Sequence, residues 1–184
     1  MNAQNSDNVA KLSPLVPATE QPAYPGSAAT VEQFIGLADE YLAAAHALLS
    51  QVSRKRSLSS APARLCAIHA VEMYLNAFLL FHGSDHKQVR GFRHDLAQRA
   101  IMATEKGLRL RVKTQAHLLK IHDQREYLVV RYGPEQASGL SELNRMFATL
   151  NEISTKVRTA LLTQPHPLRL QQKTPISPCV TSPS

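Results

Sequence analysis

The chain has 184 residues, 43% of them hydrophobic, with a formal net charge of +7 and a pI near 9.7. That length suits one domain with tails, and with no Trp and five each of Phe and Tyr the core falls to aliphatic side chains. Two cysteines without a CxxC pair argue against a disulfide framework or a thiolate zinc centre, and no apolar run is read as reaching the roughly 18 to 20 residues of a membrane span.

Residues 1–28 are rich in Pro, Ala, Asn and Ser and lack periodicity, as does the stretch 164–184. Both are expected to be disordered tails around a domain at 29–163. The opening residues show no basic region followed by an apolar core, so the expected location is cytoplasmic. Cys179 falls in the second tail, whereas Cys66 lies in an apolar segment and reads as a small buried hydrophobe.

Between the tails every segment is helical in pattern. Thr30 followed by Gln33 forms a capping box, and Phe34, Leu37, Tyr41, Leu42, Ala45 and Leu48 then recur at helical spacing. The basic run Arg54–Ser57 suits the C-terminal end of that helix, where cations meet the negative end of the dipole. This reading is preferred to a nucleic-acid patch. A second helix starts near Ser60 with Pro62 in its first turn. It is apolar on nearly every side, so it should be the most buried, and Gly83 should end it. A third runs from an Asp95 cap to Gly107. In a fourth, from about Thr114 to Tyr132, the 3-4-3-4 spacing of Leu118, Ile121, Arg125, Leu128 and Tyr132 argues for one continuous helix closed by Gly133-Pro134. A fifth covers roughly Leu140 to Leu162. The expected fold is all-α, a bundle of about five helices.

Polar groups interrupt this pattern in three places. His69, Glu72 and Asn76 share a face of the second helix, where a carboxylate beside an imidazole is either an acid–base pair or a hydrogen-bonded interface. The loop Val89–Leu96 offers Arg90, Arg93 and His94 at a helix start, an arrangement able to hold phosphate. Its bland reading is a capped helix with surface arginines. Eight basic residues between Lys87 and Lys113 face only Asp95 and Glu105, a field that attracts phosphate. His82, His86 and His94 have no carboxylate spaced to complete a ligand set, so no metal and no cofactor is expected. Arg125 lies in the apolar stripe and is expected to be partly buried and paired with Glu72, with Tyr132 as a further structural polar group.

These segments together resemble the HEPN superfamily over most of residues 30–162. The segment "AIHAVEMYLNAFLL", with its internal Glu72, is similar to the second helix of that family. "RHDL" is similar to its Gly-His-Asp-Leu signature, with Arg93 in place of the glycine. "REYLVVRYG" resembles the late-helix motif in which active members carry Arg, four to six residues, then His. Residue by residue, that arginine falls on Arg125, the tyrosine on Tyr132, and the histidine on Val130 or, one step further, Arg131. Valine moves no proton. A second Arg–His pair at the same spacing, Arg111 and His117, sits at the start of the helix instead.

The resemblance implies a homodimer and a metal-independent ribonuclease site that has lost its histidine. The expectation is a domain that binds a nucleotide, an RNA or a partner protein through Arg90, Arg93 and His94, without catalysis. The alternative is an endoribonuclease toxin of a defence or toxin–antitoxin pair using Arg125, His94 and Glu72.

Overall fold

The computed structural model describes residues 24–163; the expected tails at 1–23 and 164–184, with Cys179, lie outside the described residues. Seven α-helices form there, with three short 3₁₀ turns and no strand. The helices are α1 Val31–Leu48, α2 Ala61–Phe81, α3 His86–Gly91, α4 Leu96–Glu105, α5 Val112–Asp123, α6 Glu126–Tyr132 and α7 Leu143–Thr163. The all-α expectation stands, but five helices become seven.

α1 begins as its sequence dictates. The Thr30 hydroxyl accepts from the Gln33 N–H, and the Gln33 side chain accepts from the Thr30 N–H at 2.8 Å. α2 is the centre of the bundle and packs against α1, α4, α6 and α7. Its length and mean hydropathy of 1.3 match those of a membrane-crossing helix, yet 78% of the apolar window is buried inside the bundle. Tyr74, Leu75, Phe78 and Leu79 are all but inaccessible, each worth roughly 1.5–3 kcal/mol of burial. Gly83, at φ +81°, ends the helix: its N–H donates to Leu80 O and the Ser84 N–H to Leu79 O, two bonds that satisfy the last carbonyls. Asp95 caps α4 by accepting from the Gln98 N–H at 2.8 Å, as expected.

Three stretches differ from the sequence expectation. α3 fills what was read as loop; Asp85 caps it, accepting from the Gln88 N–H at 2.6 Å. The basic run 54–56 follows the 3₁₀ turn Leu49–Gln51 and so lies in a loop beyond the end of α1. The expected helix 114–132 is broken at Arg125, which adopts φ +50° and ψ +38° as the N-cap of α6. The break rotates the following residues. Glu126 turns fully into the core, and Tyr132, expected to be structural, is 76% exposed.

What holds the break is a buried polar set. Glu126 accepts from the Ser141 N–H at 2.6 Å and pairs with Arg64 at 3.5 Å. Arg64 also donates to Ser141 O and, through Nε, to Ser60 Oγ. A guanidinium and a carboxylate this deeply buried are tolerable only when hydrogen-bonded to each other and to their surroundings. His117 completes the set: its ring nitrogens lie 2.8 Å from Thr149 Oγ1 and 2.9 Å from Ser141 Oγ. Burial first, then Arg145, Lys120 and Arg64, hold its pKa down at about 4.

Candidate functional site

A cleft of about 690 Å³ opens between α1, α2, α3 and the start of α4. Glu72 sits on its floor, 6% exposed, because α2 is buried on every side at this level. Arg99, on the first turns of α4, reaches it from the opposite wall. Its NH2 donates to Glu72 Oε1 at 3.0 Å and its Nε to Asn76 Oδ1 at 2.8 Å. Further donations go to Asp95 O at 3.2 Å and Val89 O at 3.4 Å. With only 2% of its surface exposed, Arg99 is a buried strut rather than a surface cation. Desolvation lowers its pKa, against the raising influence of Glu72 and Asp95.

The other oxygen of Glu72 faces His94, whose Nδ1 lies 3.2 Å away. This ring is partly exposed and stands 5.2 Å from that of Tyr127 on α6. His69, one turn before Glu72 on α2, packs edge-on against Tyr41 at 4.5 Å. Burial lowers its pKa, with Arg131 and His94 acting in the same direction and Glu72 opposing. The α6 residue Arg131 therefore bears on this cleft.

The rim is basic. Arg90 and Arg93 line the mouth and are both exposed. Arg93, in the four-residue link between α3 and α4, takes φ +50°, a left-handed conformation that glycine adopts without cost. The far wall is apolar, with Phe34, Leu37 and Met73. Residues 24–27, placed by sequence in a disordered tail, instead form a turn across the mouth. Ser27 N–H donates to Tyr24 O at 3.0 Å, the Tyr24 ring lies 4.7 Å from the Arg90 guanidinium carbon, and His86 Nε2 is 2.8 Å from Ala29 O.

The structure thus gathers Glu72, Arg90, Arg93 and His94 into one place. It leaves Arg125 out. Arg125 is exposed at the α5–α6 break, and the carboxylate assigned to it is occupied by Arg99 and His94. Arg99 was missed because nothing local separates it from the other basic residues of 87–113; its i+4 relation to the Asp95 cap was the available signal. Val130 packs partly buried against the core. Arg111 and His117 do not form a site, since His117 is enclosed while Arg111 is exposed. His82, His86 and His94 are apart: His82 packs on Phe78 and Phe81, and the other two have the separate partners given above. Among the described residues no group of three or more His, Cys, Asp or Glu is arranged to hold a metal ion.

No family model, curated protein or solved structure matches this chain. Its class rests on its own geometry: an all-helical domain with a basic-rimmed cleft over a buried Arg–Glu pair.

Proposed function

We propose that this chain is a HEPN-like helical domain that binds a phosphate-bearing ligand, a nucleotide or an RNA, in the Glu72 cleft and does not cleave it. The observation that carries the reading is the convergence of Arg90, Arg93 and His94 on the mouth of one cleft where Glu72, the sole lining carboxylate among the described residues, is already engaged by Arg99. The unmatched charge is therefore positive, and phosphate is the group that two exposed guanidiniums hold best. A volume of about 690 Å³ suits a small ligand, and the apolar wall of Phe34 and Leu37 suits a base.

The resemblance gains support from Arg93, which stands in the glycine position of the signature and adopts the conformation glycine favours. Val130 in the place of the histidine and Arg125 lying outside the cleft support binding over cleavage. Cytoplasmic location and a homodimer belong to the same proposal; light scattering of the purified chain would read the second.

The test is an RNA mobility shift across a salt series, beside Arg93→Gln. Binding that weakens with a log–log slope of about −1.4, the value for two phosphate contacts on a single strand, and that falls in the variant supports the reading. Salt-insensitive binding, or none, would replace the phosphate ligand with a partner protein.

One observation favours a second reading, a metal-independent endoribonuclease. His94 is hydrogen-bonded to Glu72 as a general acid–base group would be, and His69 is close by. Cleavage of end-labelled RNA in chelator, lost in His94→Ala but not in Arg125→Ala, would establish it.

A further inference from the structure

A second basic cleft, of about 440 Å³, lies around the start of α2 and of α7, away from the Glu72 site. Its walls include Arg54 and Arg56 from the loop after α1, Arg64 from α2, Glu142 just before α7 and Asn144 in its first turn. Arg54–Ser57 is the run that sequence alone assigned to a helix end, and its placement in this loop leaves it without that role.

The loop is tied down. Ser59 Oγ accepts from the Ser53 N–H at 2.9 Å, and its single hydrogen lies within reach of Arg56 O at 2.7 Å and Ser53 O at 3.0 Å. The Arg56 guanidinium donates to Gln51 O at 3.0 Å, which fixes its direction. Arg64 stands behind, 5% exposed, with one carboxylate at 3.5 Å, and that carboxylate is shared with the Ser141 N–H. Three guanidiniums, of Arg54, Arg56 and Arg64, meet two carboxylates, of Glu126 and Glu142. The cluster is one negative charge short of balance. In a partly enclosed site that deficit attracts an anion more strongly than the same charges spread over a surface.

We propose that this cleft is a second phosphate site, independent of the Glu72 cleft, in which Arg54 and Arg56 hold the oxyanion and Arg64 supplies the buried charge behind it. A phosphate group fits the forked donors of two arginines, and Asn144 offers a neutral donor beside them. The group would come either from free phosphate or from a nucleotide.

The test is a titration of the full chain with inorganic phosphate at constant ionic strength, followed by amide shifts in two-dimensional NMR, with chloride as the control. Saturating shifts at Ser53, Arg56 and Asn144 are expected, lost in Arg54→Gln/Arg56→Gln and kept in Arg93→Gln. Both substituted arginines of the double variant are exposed, and Arg56→Gln also removes the bond to Gln51 O, so without phosphate its spectrum should differ from the wild type in this loop alone. Arg54→Gln by itself, which leaves that bond in place, should weaken the phosphate shifts. Repeating the titration with a 5′-mononucleotide separates the sources: at least tenfold tighter binding points to a nucleotide, equal affinity to the free ion, and either supports the site. Shifts that grow linearly, that chloride reproduces, or that survive the double substitution would overturn it.

Discussion

Replacing Arg99 should be among the most damaging single changes to this fold, and replacing Arg125 one of the mildest. Arg99→Met keeps much of the volume but removes the donations to Glu72, Asn76, Val89 O and Asp95 O. Glu72 then keeps only the partly exposed His94, and the Asn76 carbonyl loses its donor. Leaving one partner of a buried pair uncompensated costs about 3–5 kcal/mol. For a folded region of this size, between the usual small- and medium-domain ranges, that corresponds to a fall in Tm on the order of 10–15 °C. Arg125→Ala removes an exposed side chain and should stay within about 0.5 kcal/mol. Urea and thermal unfolding of the two variants, with Glu72→Gln/Arg99→Met as the partner-removed control, read the difference. The double variant should recover part of the loss, because the stranded charge is gone. An Arg99→Met protein within about 1 kcal/mol of wild type, or an Arg125→Ala protein destabilised as much, would refute the reasoning.

Three further outcomes follow from the same coordinates. His117 is held down at about 4 when folded and titrates near 6.5 when unfolded. The unfolded chain therefore takes up the proton first, so stability present above pH 6.5 is lost as pH falls toward 4. The loss is about 3 kcal/mol at full extent, and pH-dependent unfolding should show it reduced in His117→Gln. Arg93→Gly should relieve the left-handed backbone, leaving stability unchanged or raising it by about 1 kcal/mol, while weakening RNA binding; equal loss of both would mean that Arg93 acts through folding. Burial and the hydrogen bond to Asp39 raise Tyr74 to about 12, against the lowering influence of Arg158. Its phenol should thus ionise above the usual tyrosine range near 10 in an alkaline absorbance titration, and Asp39→Asn should bring it down.

How far the sequence spoke depended on whether the deciding interaction was local. Thr30–Gln33, Gly83, Asp95 and Gly107 act within one turn of chain, and each was readable. The break at Arg125 was not, because the apolar spacing through Leu118 and Ile121 continues unbroken to Leu128 and Tyr132. What overrides it is Glu126, anchored by Arg64, 62 positions earlier, and by Ser141, 15 positions later. A glutamate beside an arginine in sequence looks solvated, and only the tertiary fold makes it a core residue. For the candidate site, the loop residues Arg90, Arg93 and His94 were legible as a group. The carboxylate Glu72 was legible too, but its partner was not: Arg99 and Arg125 are both arginines in helical pattern, and choosing between them takes the angle between α2 and α4.

The enclosed imidazole of His117 has one more property, a sense of direction. A guanidinium can only donate, so Ser141 Oγ, 3.5 Å from Arg64 NH1, receives that hydrogen. Its own hydrogen is then free to point at His117 Nε2, an arrangement that pairs with the tautomer in which Nδ1 carries the proton toward Thr149 Oγ1. The charge of Arg64 thus polarises a row of hydroxyl, imidazole and hydroxyl running from α2 to α7, and favours the tautomer in which Ser141 donates to the ring. Nitrogen chemical shifts of the ring report that choice directly, and reversing it would require turning every hydroxyl in the row.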